Sequence, residues 1–256
     1  MRFGLLTRVL ASLASLVIIA PLISLLTKVP WSSFFDALAN NAAIKLSLWT
    51  ATLAAVISLL LGVPLAWVLA KSSNRFTNLL RPLVLAPIVL PPTVAGIALI
   101  SLMGRNGLLG KYIYQQFGWA MPFTSSAVVL AGVFVGLPFV VLICESNFRQ
   151  LPKEVEDAAI IDRADAGDLF QKIAIPQSRS AIATGGILAW ARAMGEFGAT
   201  LMFAGSLPGT TQTWTMLIYQ ELDIDVSAAY SLSAAMLIIA VAIVFLLRKP
   251  LREAMR

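Results

Sequence analysis

The order of apolar and polar positions divides the 256-residue chain into six long apolar runs separated by shorter polar segments. They lie at about Val9 to Leu26, Leu46 to Ala70, Leu83 to Met103, Ala127 to Cys144, Ala181 to Ala204 and Ala228 to Leu247. Each is close to or beyond the ~18 to 20 apolar residues with which an α-helix crosses a ~30 Å hydrocarbon layer. The pattern predicts an all-α membrane protein of about six transmembrane helices. Arg2 and Arg8 before the first run would suit a signal peptide, but the chain returns to the apolar phase repeatedly, which suits an uncleaved first helix.

Prolines interrupt the runs at Pro64, Pro87, Pro91, Pro92 and Pro138, positions that would cost a soluble helix about 3 kcal/mol each. In a bundle, neighbouring helices satisfy the carbonyls so freed. The stretch Ala86-Pro87-Ile88-Val89-Leu90-Pro91-Pro92-Thr93 should bend or break its helix, either for packing or to shape a transport path.

Composition agrees with this division. The chain is 59% hydrophobic and 12% charged, whereas a soluble domain carries roughly one quarter charged residues. The net charge of +6 does not form a patch, which argues against nucleic-acid binding. Fourteen basic residues fall on one side: Arg2 and Arg8; Lys71, Arg75 and Arg81; Arg149, Lys153, Arg163, Lys172 and Arg179; Arg248, Lys249, Arg252 and Arg256. Only Lys28, Lys45, Arg105 and Lys111 fall on the other, so the positive-inside rule predicts that both termini are cytoplasmic. With no histidine and one cysteine, Cys144, neither a Cys/His metal site nor an intrachain disulfide is available.

The longest polar segment, Glu145 to Ser180, holds seven of the thirteen acidic residues. Pro152 can open a helix through Val155, Ala158, Ala159 and Ile161, whose spacing gives an apolar stripe. A second short helix is predicted from Asp165, which caps it together with Asp168, to an end at Pro176. Such a hairpin either lies on the membrane surface or projects towards a soluble partner.

One charged pair stands within a run. Arg192 and Glu196 are four residues apart in the fifth, where a charge costs about 2.5 to 3.5 kcal/mol on insertion scales. On a continuous helix they would meet on one face, and Ala193, Gly195, Gly198 and Ala199 would let a neighbouring helix approach closely. The pair is either a static interior ion pair or part of a gate.

Two stretches resemble a known family. Asp157-Ala158-Ala159 followed by Ile173-Ala174-Ile175-Pro176 is similar to the EAA motif of bacterial ABC importer permeases, with Asp157 in place of Glu and Arg163 in place of a turn glycine. The run Ala191-Arg192-Ala193-Met194-Gly195-Glu196-Phe197-Gly198-Ala199-Thr200 resembles a signature of molybdate permeases, which sulfate and thiosulfate permeases carry in altered form. Leu90-Pro91-Pro92-Thr93-Val94, Gly104-Arg105-Asn106-Gly107 and the segment from Phe203 to Thr213 extend the likeness over about residues 45 to 247.

The resemblance implies a type I ABC importer permease bundle, one transmembrane domain over 1–256 with a coupling loop at about 145–180. It implies ATPase-coupling residues Asp157, Ala158, Ala159, Arg163, Ile173, Ile175 and Pro176. It also implies a translocation and gate region of Pro91, Pro92, Thr93, Arg192, Gly195, Glu196, Phe197, Gly198 and Thr200. The implied substrate is molybdate or tungstate, with a sulfate or thiosulfate ABC permease as the alternative. The implied partners are a second copy of the chain, two cytoplasmic ATPases that bind ATP and Mg, an extracytoplasmic oxyanion-binding protein and membrane lipid. No phosphate-binding Gly-x-x-x-x-Gly-Lys-Ser/Thr loop is present, so this chain is expected to have no catalytic site or cofactor of its own, in a bacterial inner membrane. An ion-coupled secondary transporter and a membrane-embedded enzyme are the competing classes; no internal repeat and no nucleophile-base arrangement supports either.

Overall fold

Unpaired backbone groups are prohibitive in hydrocarbon, and the apolar runs accordingly form helices, which pair those groups internally. The computed structural model describes residues 4–39, 41–152, 154–155 and 164–254, with side chains described as far as 245. Among these residues every regular element is helical. In order they are α1 (Leu5–Thr27), α2 (Phe34–Leu38), α3 (Ala42–Lys71), α4 (Arg75–Leu85), a 3-10 turn (Ala86–Ile88), α5 (Pro92–Met103), α6 (Gly110–Phe117) and α7 (Ser125–Arg149). A helical stretch at 166–177, here α8, is followed by α9 (Arg179–Met194), α10 (Gly198–Ala204), α11 (Trp214–Ile224) and α12 (Val226–Ala254).

Four of the six runs are single helices long and apolar enough to cross a bilayer: α1, α3, α7 and Val226–Phe245 of α12. The other two are broken. In the third run the chain turns through 118° between Arg75–Ile88 and Pro92–Met103. Pro91 and Pro92 have no N–H to donate, and each forces its predecessor into extended backbone, as Pro91 itself adopts (φ −55°, ψ 137°).

The fifth run, expected as one helix, is interrupted at Gly195–Phe197 between α9 and α10. Glycines on both sides of Glu196 weaken helix propagation there. The Glu196 carboxylate then accepts from the Ala199 N–H at 2.9 Å, giving the new helix start a partner that an unbroken helix would not need.

The chain divides into two compact units, Met1–Asn41 with Leu217–Ala242, and Ala42–Met216 with Ile243–Arg256. In the first, α1 has no buried residue along its length, and Asp225 caps α12 by accepting from the N–H groups of Ser227 and Ala228 at 2.9 and 3.2 Å.

The second unit is built on α3, α7 and α9. One face of α3 is a ladder of small residues, Ala43, Ser47, Ala51, Ala55, Ser58, Gly62 and Ala66, all buried, while Trp49, Leu53, Leu60 and Leu61 point outward. Small residues at a spacing of three and four let helix backbones come close, which is how helices associate where burial of apolar surface supplies little drive. Val63, Ala66, Leu69, Val140, Val141, Cys144, Phe148 and Ala189 form the core between these helices.

Candidate functional site

The two broken runs meet at their breaks. A Cβ on Gly198, the first residue of α10, would stand 2.6 Å from the Pro92 Cβ that opens α5. A Cβ on Gly96 would stand 2.6 Å from Met202 Cβ and 3.0 Å from the Ala199 carbonyl oxygen. Only glycine permits this approach, so α5 and α10 are locked as a pair. Leu99, Phe203 and Ala204 pack with Ala127, Val128 and Ala131 of α7 beside them. At ~1.5 Å per residue, α5 is about 18 Å long and α10 about 10 Å, each too short to cross a ~30 Å layer alone.

Glu196 sits in the second break, 3% exposed, and its carboxylate pairs with Arg192 in the last turn of α9 at 2.6 Å. Its other oxygen takes the Ala199 N–H, and its backbone carbonyl accepts from Thr215 Oγ1 at 2.9 Å. Arg192 is favoured at a helix C-terminus and the carboxylate at a helix N-terminus, so the pair is oriented by both helix ends as well as by its own charges. Thr200 is buried, while Gly195, Pro91, Pro92 and Thr93 are exposed and Phe197 is half-buried.

Thr215 and Ser47 are parts of this region that the sequence pattern does not single out. Ser47 Oγ accepts from the Trp214 N–H at 2.7 Å, anchoring the segment after α10 to α3. Gly205 ends α10 at φ 68°, a left-handed conformation that suits glycine, and the following loop is closed by Thr211 Oγ1, which accepts from the Leu207 N–H at 3.0 Å.

The hairpin expectation divides. Asp157, Ala158, Ala159 and Arg163 lie outside the described residues. Asp165 caps α8 as expected, accepting from the Asp168 N–H at 2.7 Å. Asp168 is also paired with Lys172 at 2.6 Å, a hydrogen bond and charge that hold the exposed ammonium above its ordinary pKa.

Pro176, expected to end this helix, does not. α8 continues to Gln177 through a π-helical stretch at Leu169–Ala174 placed directly before the proline. A wide turn moves the preceding carbonyls away from the pyrrolidine ring and removes the need for its missing N–H. Ile173 and Ile175 are half-buried and Pro176 is exposed.

What ties α8 to the bundle is aromatic, and only the structure brings it together. Phe170 stacks tilted on Trp67 of α3 at 5.6 Å and meets Phe148 of α7 at 6.3 Å, while Trp67 and Phe148 meet edge to face at 5.4 Å. Ala174 is fully buried in the same core. α8 is thereby packed against both long helices.

Two short locked helices at paired breaks, and α8 packed on α3 and α7, are the geometry of this region. Residues 59–251 match the family described as binding-protein-dependent transport system inner membrane component. The chain belongs to that family. As an inner membrane component it is similar to the molybdenum transport system permease protein ModB of Mycobacterium tuberculosis, 39% identical over 92% of this chain and 90% of the relative. The sulfate transport system permease protein CysT of Salmonella typhimurium is 30% identical over 90% of this chain and 85% of its own length. In fold it resembles a chain of a bacterial alginate ABC transporter solved with its periplasmic protein, with a TM-score of 0.71 at 14% identity over 96% of this chain and 92% of that one.

Proposed function

We propose that this chain is the permease subunit of an ATP-binding-cassette importer carrying molybdate, or the nearly isosteric tungstate, into the cytoplasm. The observation that carries the reading is the 39% identity to a molybdenum permease across 92% of the chain. The 30% identity to a sulfate permease makes sulfate the second candidate.

The whole chain acts as one transmembrane domain, with both termini cytoplasmic, as the fourteen-to-four distribution of basic residues favours. Two copies enclose the path, and two cytoplasmic ATPases grip the 145–180 hairpins. Nucleotide-driven closure displaces α8, and the Phe170, Trp67 and Phe148 contacts carry the movement into α3 and α7. The locked pair of α5 and α10 then swings about the breaks at Val89–Pro91 and Gly195–Phe197.

Selection of the anion lies mainly with an extracytoplasmic binding protein. A tight dianion site would converge several donors or helix N-termini, whereas the one basic residue within the runs, Arg192, is neutralised by Glu196. Such a path releases its cargo readily.

The test is uptake into proteoliposomes holding the permease, its ATPase and its binding protein. Molybdate should enter only when all three and ATP are present, with tungstate competing and sulfate not. Equal competition by sulfate would move the assignment to sulfate, and uptake without the ATPase would make the chain a secondary transporter.

A further inference from the structure

The groove between α4 and α7 carries chemistry that the import mechanism does not use. At its polar end Glu145, 6% exposed, accepts from Arg81 Nε at 2.7 Å and from Arg149 Nε and Nη2 at 3.1 and 2.8 Å. Both guanidiniums also donate through Nη2 to the Leu69 carbonyl, at 2.9 and 3.1 Å, capping one of the last carbonyls of α3. Two arginines against one carboxylate leave one positive charge. Among the described residues neither Arg81 Nη1 nor Arg149 Nη1 donates a hydrogen bond, and the two side chains are 29% and 47% exposed.

With Leu85, Leu142 and Ser146 these three residues line an open groove of about 360 Å³. Further along α7 a second groove of about 280 Å³, lined by Leu83, Pro87, Phe134, Leu137 and Pro138 among others, is almost wholly apolar. Arg81 and Leu85, which line the first groove, share one face of α4, whereas Leu83 of the second lies on the opposite face, so the two grooves flank α4 and are separate. Leu142, which lines the first groove, is 44% exposed, so open apolar surface adjoins the ion cluster.

We propose that the first groove binds an anionic phospholipid, its phosphate on the Nη1 groups of Arg81 and Arg149 and an acyl chain along Leu85 and Leu142. The charge left over at one end selects an anion, and the exposed apolar lining of Leu85 and Leu142 beside it selects a lipid over a free oxyanion. Placement in the cytoplasmic leaflet rests on the orientation proposed above; the site itself does not.

The test uses the full-length chain in detergent, titrated with phosphatidylglycerol, phosphatidylcholine or inorganic phosphate, reading unfolding temperature and retained lipid by native mass spectrometry. Phosphatidylglycerol should raise the unfolding temperature and stay bound, while the other two should do neither. Arg149→Gln should weaken that binding about tenfold, by loss of a charge-assisted contact. Leu142→Trp, which fills the groove and leaves the ion cluster intact, should abolish it without lowering the lipid-free unfolding temperature. Equal stabilisation by phosphatidylcholine or by phosphate alone, or undiminished binding in both variants, would overturn the proposal. So would Leu142→Trp dissociating a dimer while lipid binding stays unchanged, which would give the groove to a second copy.

Discussion

Arg192 and Glu196 show what a single pair of residues reveals before and after the fold is known. Their spacing predicts the contact, and the 2.6 Å ion pair is there. The helix break between them is not predicted, because charge spacing says nothing of where the backbone stops. The carboxylate has two duties, to Arg192 and to the Ala199 N–H. Glu196→Gln removes the charge and leaves Arg192 without its counter-ion, so it should destabilise the chain by about 2 kcal/mol, reduced from the cost of a fully buried pair because Arg192 is one-third exposed. Adding Arg192→Met should restore part of that loss. Thermal unfolding of the two single variants and the double variant measures the coupling; strictly additive losses would mean that the pair contributes nothing.

Among the elements, the four unbroken helices were legible because an apolar run of sufficient length has one outcome in a membrane. The bend at Pro91 and Pro92 was legible because proline chemistry is local, but the 118° turn was not, since packing of α5 on α10 sets it. Pro176 misleads for the converse reason: a π-helical stretch absorbs it, and no local pattern announces that stretch. The joint of Phe170, Trp67 and Phe148 draws on three segments distant in sequence, so only the fold assembles it. Phe170→Ala should cost about 1 to 2 kcal/mol of stability at this half-buried position. It should leave the ATPase docked and hydrolysing ATP while uptake falls at least tenfold. An unchanged ratio of molybdate carried to ATP hydrolysed, measured in the same vesicles, would remove Phe170 from the transmission path.

At the scale of the molecule, the family membership makes the chain an inner membrane transport component, and the proposed function places its energy source in a separate ATPase. The central claim is that the hairpin at 145–180 is held by a separate ATPase. Since Cys144 is the only cysteine and is buried, Cys144→Ala gives a clean background for one reporter thiol. The direct measurement places that thiol by Ala159→Cys and asks for its cross-link to cysteines along the docking cleft of the ATPase in the assembled complex. A cross-link whose yield changes between ATP-bound and nucleotide-free states is the predicted result. A thiol that stays freely reactive in a complex that still transports would contradict the coupling and the importer assignment with it.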